Sequence, residues 1–319
     1  MNTIGGYFEL EFNKNREYLH SNSIKLNLAR NALLYLLKAN NYKKIFIPFF
    51  TCDAILEPIN ACKVDFERYN VNSSLEPIFE FSKLSSSDVF LYNNYFGLKD
   101  EFILNVLPRL PNIIIDNSQG FFSESFKFFD SFYSPRKFFG VSDGAYVYSK
   151  KLLNIELQTD LSFSRMSHLL KRIDNEIEEG YIDFIQIEKS LSDLPLKRMS
   201  KLTETILSSI DYEFCKKRRI QNFNDIHKQI GGINKFEFSV SKTSVPYSYP
   251  FLSNKIGLRE EFIKRKIFTP LLWKNVLQLC SPNTLEYEMT EKLVHIPIDH
   301  RYSSSEIISI IKPLIYEYN

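Results

Sequence analysis

Residues 112–150, NIIIDNSQGFFSESFKFFDSFYSPRKFFGVSDGAYVYSK, decide the fold. The run opens on three isoleucines closed by Asp116, a short apolar strand pattern with a carboxylate at its carboxyl end. "FKFFDSF" at 126–132 and "GAYVYSK" at 144–150 are two further strand-like pieces, with Lys137 between them in "SPRKFFG". The same alternation runs upstream. Residues 26–40 (LNLARNALLYLLKAN) place Leu26, Leu33, Leu34, Leu36 and Leu37 at helical spacing and end on Asn40 and Asn41. Residues 44–48 (KIFIP) read as a strand stopped by Pro48, and 51–60 (TCDAILEPIN) open with Thr51 or Asp53 as a helix cap. Residues 63–69 (KVDFERY) alternate like a strand, "DVFLYNN" at 88–94 is another, and a helix follows over 100–109. Continuous apolar strands alternating with helices predict an α/β fold with a largely parallel sheet covered on both faces. Such sheets bind ligands beyond the carboxyl ends of their strands, which directs attention to Phe49–Cys52, Tyr92–Gly97, Asp116–Gly120 and Ser134–Gly140.

The second half is built differently. Residues 162–230 are rich in Leu, Ile, Lys, Glu and Ser with helical periodicity, interrupted near Asp193–Pro195. From "VPYSYPFLS" (245–253) the chain returns to mixed elements: a helix at 258–266, "VHIPID" at 294–299 and a last helix from Ser303 to Tyr316. A boundary near 200–210 follows.

Composition excludes several classes. The 319 residues carry 28 Phe and 18 Tyr against only 10 Gly, a core-building composition that leaves little room for glycine-rich phosphate loops. Net charge of +2 argues against a nucleic-acid binder held by phosphate attraction. The one basic cluster, Lys216-Lys217-Arg218-Arg219, reads as the solvated face of a helix. No apolar run approaches a membrane span; "IFIPFF" and "LLYLL" are the longest of note. The start, MNTIGGYFELEFNKN, has acids where a secretory leader needs an apolar core, so a cytoplasmic protein is expected. Cys52, Cys62, Cys215 and Cys280 lack CxxC spacing and read as buried free thiols. His20, His168, His227, His295 and His300 form no HxxxH or HxxE pattern, so no metal site is expected.

Two polar groups at strand ends carry the chemistry. Asp116 either caps the next turn or receives a cationic ligand group where the sheet opens. Lys137 is either a surface loop lysine or, beside Phe138 and Phe139, a desolvated and nucleophilic amine. An acid some twenty residues before a lysine, each ending a strand, fits pyridoxal 5'-phosphate. That cofactor needs a lysine for its aldehyde, an acid for its ring nitrogen, and hydroxyls and helix-start amides for its phosphate.

In order and spacing the chain resembles the DegT/StrS family of pyridoxal-phosphate aminotransferases, of the aspartate-aminotransferase fold (fold type I). "LNLARNALLYLL" stands at the family's phosphate-binding helix start, followed by "IFIPFFTCDAILEPINACKVDFERYNVN", "YNNYFGL", "IIIDNSQGF", "SPRKFFGVSDGAYVYS" and "VHIPIDHRYSSSEI". The resemblance implies a large domain whose mainly parallel sheet bears one antiparallel strand, over residues 21–205. It implies a smaller C-terminal α+β domain over 206–319, on which segment 1–20 packs. Lys137 would carry the cofactor and move the proton between substrate and cofactor carbons. Asp116 would pair with the pyridine nitrogen, Gln119 would contact the phenolic oxygen, and Ser134 would hold the phosphate with the amides of Ala29, Arg30 and Asn31.

The chain departs from the family at three places. Ala29-Arg30 replace Gly-Thr, and Arg30 offers a charge instead. Phe132 stands where the family's serine lies, leaving Ser134 with Ser131 as rival. Cys52 stands where an aromatic stacks on the cofactor ring, with Phe49, Phe50 or Tyr95 as other sources of a ring. Trp273 matches a family tryptophan but reads as core. Arg301 and Tyr302 line either the cleft or the surface. The implied activity moves an amino group from an amino acid, glutamate first, to a keto sugar nucleotide in bacterial surface-polysaccharide synthesis. The implied assembly is a homodimer with the site at its interface. Two other readings stay open: a non-catalytic binding or regulatory member of the family, given Ala29, Cys52 and Phe132, and a pyridoxal-dependent sugar dehydratase or epimerase, which would consume no amino donor.

Overall fold

The computed structural model describes residues 6–13, 19–126, 128–241 and 244–318, so part of segment 1–20 lies outside the described residues. Its largest element is an eight-stranded sheet of β1 (Ile24–Leu26), β2 (Lys44–Pro48), β3 (Asp65–Val71), β4 (Pro77–Ile78), β5 (Asp88–Asn93), β6 (Ile113–Asn117), β7 (Asp130–Tyr133) and β8 (Ala145–Tyr148). The strand order is β1-β8-β7-β6-β5-β2-β3-β4. The run from β3 through β2, β5 and β6 to β7 is parallel. β8 is antiparallel to both neighbours. The one antiparallel strand expected is therefore present, and the two-residue edge strand β4, antiparallel to β3, is a second. Strands β9 (Tyr249–Leu252) and β10 (Leu293–Ile296) form a separate antiparallel pair.

Helices α1 (Ala29–Asn40), α2 (Leu56–Ala61) and α3 (Asp100–Asn105) connect strands of the large sheet. Then α4 (Ser167–Asp174), α5 (Ile177–Ser190), α6 (Lys201–Ser208) and α7 (Tyr212–Ile230) run in succession, and α8 (Leu258–Lys264), α9 (Val276–Leu279), α10 (Leu285–Lys292) and α11 (Ser304–Tyr318) follow β9, with β10 between the last two. Period-two alternation sends Ile45, Leu91 and Ile114 to the α1 face, where Leu33, Leu36 and Leu37 meet them. Phe46, Tyr92 and Ile115 go to the other face, in one apolar cluster with Phe223, Phe251, Val294 and Ile311. Burial on both faces is why these strands read as unbroken apolar runs.

Helical spacing from Leu26 runs ahead of the true helix. Ile24–Leu26 pair with β8, Leu28 stays extended at φ −139°, and α1 begins only at Ala29. Its end falls where the asparagines stand: Asn41 takes φ 55° and donates its amide to Leu37 O. Ser200 caps α6 by accepting from Thr203 N, and Asp211 caps α7 by accepting from Phe214 N. Among the described residues no helix is long and apolar enough to cross a membrane. All four cysteines are free, but only Cys215 is buried as expected; Cys52, Cys62 and Cys280 are half-buried.

Two buried histidines make the fold acid-sensitive. His20 lies among Phe121, Tyr133, Tyr146 and Tyr148, with Nε2 2.8 Å from Phe121 O, and burial lowers its pKa to about 4. His295 packs on Phe96, and burial lowers its pKa to about 3. Below the unfolded value near 6.5 the unfolded chain takes up protons that the folded chain refuses, so stability falls as pH drops. Each histidine is expected to cost about 2 kcal/mol between neutral pH and pH ~5. Urea unfolding midpoints across that range check this: His295→Gln should flatten the slope, and an unchanged slope would sink the assignment.

Candidate active site

Because β1 is antiparallel to β8 and β8 to β7, the carboxyl ends of β1, β2, β5, β6 and β7 share one edge. The chain leaves that edge at the start of α1, at Phe49–Cys52, at Asn94, at Ser118 and at Ser134. Register narrows the site further. Asn93 pairs with Asp116 and Asp116 with Phe132, so alternation points the three side chains to the α1 face. Ser134 continues extended, at φ −121° and ψ 107°, and lies two residues beyond Phe132, on the same side. Ser131 pairs with Ile115 and lines a small cavity on the opposite face with Asp100, Asn117 and Ser123. Strand parity thus separates Ser134 from Ser131, which spacing alone left open.

Asp116 is partly buried and accepts from Ser118 N at 2.7 Å. Burial raises its pKa above the ordinary carboxylate range, and the Lys137 charge and the Ser118 hydrogen bonds pull against that rise. Burial likewise raises the Cys52 thiol, opposed by the Ala54 amide and again by Lys137. The Lys137 ammonium therefore bears on both Asp116 and Cys52. Lys137 itself ends the 3-10 turn Pro135–Lys137 and its side chain is exposed. The neighbouring aromatics do not wall it in: Phe138 packs against Phe121, Phe122 and Tyr247, and Phe139 against Phe121 and Tyr212.

At α1 the first amide bonded along the helix is that of Ala32, which donates to Leu28 O at 2.9 Å. The amides of Ala29, Arg30 and Asn31 precede it, and Leu28 provides no side-chain cap, so the positive helix end stays open. The side chains there are committed elsewhere. Arg30 is ion-paired with Glu57, which also accepts from Asp193 N at 2.9 Å. Asn31 donates to Asn27 Oδ1 and to the carbonyls of Leu194 and Pro195. Arg30 therefore offers an amide rather than an unpaired charge. Ser134 makes no side-chain bond to the turn it precedes.

Gln119 is buried; its Oε1 accepts from Phe96 N at 2.9 Å and its Nε2 has no partner. Neither Phe50 nor Tyr95 is free to stack on a ligand, because both lie in the core with Trp273 against them. Phe49 lies under the Arg68 guanidinium, 5.8 Å from the ring centroid. Arg301 chelates Asp299 at 2.6 and 3.0 Å on the surface, with Tyr302 beside it. Sequence reasoning marked the stretch Tyr92–Gly97 without singling out Asn93. It donates to Thr51 Oγ1 at 2.9 Å beside Asp116, and its buried Oδ1 has no partner. A polar residue ending an apolar strand, as Asp116 does, was the available signal.

The Lys137 turn depends on a glycine. Gly144 has φ +121°, and a Cβ there would lie 2.8 Å from Pro135 Cγ and 3.3 Å from Thr203 Cγ2. Gly144→Ala should cost about 1–3 kcal/mol in strain and displace the turn. A urea midpoint equal to wild type would refute this.

No protein-family model matches the chain, and no curated protein matches it in sequence. Solved structures do match in fold. A Streptococcus pneumoniae protein assigned as a sugar aminotransferase, in its PMP form, superimposes with TM-score 0.67 at 14% identity, over 92% of this chain and 85% of that one. An aminotransferase of the DegT, DnrJ, EryC1 and StrS type from Brucella abortus gives TM-score 0.63 at 14% identity, over 92% and 85%. The sugar aminotransferase CalS13 of Micromonospora echinospora gives 0.59 at 12%, over 92% and 88%. The expected fold-type-I architecture is thus present along nearly the whole chain.

Proposed function

We propose that this protein is a pyridoxal-phosphate-dependent aminotransferase that moves an amino group from an amino acid, glutamate first, to a keto sugar nucleotide. The fold likeness supports the reading. The observation that carries it is geometric: Asp116 at the end of β6 and the Lys137 turn after β7 meet at the edge where the amides of α1 lie open.

The residues fit the cofactor on their own terms. Gln119 Nε2 is an orphaned buried donor, Ser134 Oγ is not used by its own turn, and the α1 amides suit a phosphate. When bound, pyridoxal phosphate supplies an aldehyde that links to amines and a ring that accepts the electron pair released at the substrate α-carbon. Lys137 Nζ would hold the cofactor covalently and, once displaced by a substrate amine, carry the proton between the two carbons. Asp116 would keep a proton on the ring nitrogen. Burial resists its ionisation in the unliganded chain, and a cationic ring nitrogen within reach would reverse that. Cys52, a neutral thiol, would border the ring without stacking on it.

The rest of the proposal follows from the family resemblance. It comprises a cytoplasmic homodimer with the site at its interface, a role in surface-polysaccharide synthesis, and units at 21–205 and 206–319 with segment 1–20 on the smaller. The test is direct. Protein loaded with pyridoxal phosphate should absorb in the visible, lose that band with glutamate alone, and yield a borohydride-reduced adduct on Lys137. Failure to take up the cofactor would end the proposal, and uptake without bleaching by any amino donor would leave the fold as a binding module.

A further inference from the structure

Arg219 breaks the pattern of its neighbours. The cluster Lys216–Arg219 reads in sequence as a solvated face, and Lys216, Lys217 and Arg218 reach solvent, whereas Arg219 is 2% exposed. A buried guanidinium is costly unless its donors are used. Nη1 donates to the carbonyls of Tyr247 at 3.0 Å and Pro246 at 3.4 Å, and the guanidinium lies 4.6 Å from the Phe138 ring centroid. Asp299, the acid whose charge bears on it, is chelated by Arg301. One charge is thus buried on two backbone carbonyls and one ring, with its Nε left without a partner.

Both contacts lead to the candidate site. Phe138 follows Lys137, and the amides of Phe138 and Phe139 donate to Pro135 O at 2.9 Å, which closes the lysine turn. Tyr247 N donates to Phe96 O at 2.8 Å, and Phe96 N donates to Gln119 Oε1 at 2.9 Å. Phe96 stands at φ 58°, a region unfavourable to phenylalanine and kept only where the surroundings fix it.

We propose that Arg219 is a positioning residue for the cofactor site, fixing the Lys137 turn through the Phe138 ring and the Gln119 carboxamide through Tyr247 and Phe96. What those two residues then do rests on the function proposed above.

Amide hydrogen exchange on unliganded protein tests the positioning without any activity. Arg219→Met should speed exchange about tenfold at Phe138, Phe139 and Phe96 while β2 and β5 keep their protection, and Arg219→Lys should restore part of it. Unchanged exchange at those three amides overturns the proposal. If Arg219→Met does not fold, Phe138→Leu decides: it removes the ring that the guanidinium holds, so Phe138 and Phe139 should loosen more than Phe96, which feels the change only through the Phe138–Tyr247 ring contact, and any other pattern overturns it. Borohydride trapping of pyridoxal phosphate on Lys137 is the second readout. It should slow about tenfold in Arg219→Met and recover in Arg219→Lys, because a misplaced amine attacks poorly. Trapping that fails in wild type while the exchange effects hold sinks the functional reading alone. Normal trapping in wild type with unaltered exchange in Arg219→Met sinks the positioning alone.

Discussion

Lys137→Ala is expected to abolish covalent attachment of pyridoxal phosphate and to lower transamination by about ten-thousandfold or more, since in the proposed function the amine would serve both as attachment point and as proton carrier. Folding should be nearly untouched. The Lys137 side chain is exposed and makes no hydrogen bond among the described residues, so truncation removes no packing, and Asp116, which loses the Lys137 charge, keeps its bond from Ser118 N. The measurement is a borohydride-reduced peptide map beside a thermal melt: no adduct, with a melting temperature within a few degrees of wild type. An adduct on another lysine would move the site.

Asp116→Asn is expected to have the second largest effect, and its two consequences have opposite signs. Transamination should fall about a hundredfold to a thousandfold, as when one preorganised charge is removed from a reacting centre. Stability of the unliganded chain should hold or rise. The carboxyl's pKa lies above its unfolded value, so folding disfavours the ionised form at neutral pH, and an amide escapes that cost. Asparagine keeps the shape and can still accept from Ser118 N. Urea midpoints at pH 7 with single-turnover rates on glutamate separate the two effects. A variant both destabilised and fully active would place Asp116 among capping residues only.

The parallel core was legible because burial on both faces writes itself as unbroken apolar runs: β2 matches the predicted 44–48 end to end, and β6 lies one residue from its predicted place. β1 was not legible, since three residues carry too little pattern to compete with the helical spacing beginning at Leu26. β7 is shorter than "FKFFDSF" suggested: only Asp130–Tyr133 find ladder partners in β6 and β8. At the candidate site, spacing proposed Asp116 and Lys137, but separating Ser134 from Ser131 needed the sheet register. Arg219 was hidden by its own sequence neighbours, because one basic position among four can turn inward without changing the pattern. The orientation of Phe138 and Phe139 was equally unreadable, since adjacency to a lysine says nothing of which way the rings point.

The start of α1 bears on adaptability. Its amides are held by a helix with no glycine at its mouth, and Arg30 and Asn31 fasten that mouth to Glu57, Leu194 and Pro195. A glycine loop would wrap an anion after it arrives and lose backbone entropy in doing so. Here the ordering belongs to folding, so the phosphate proposed to bind there would meet a seat that is already set. Such a seat gains in selectivity for one ligand geometry and gives up the freedom to accommodate a second.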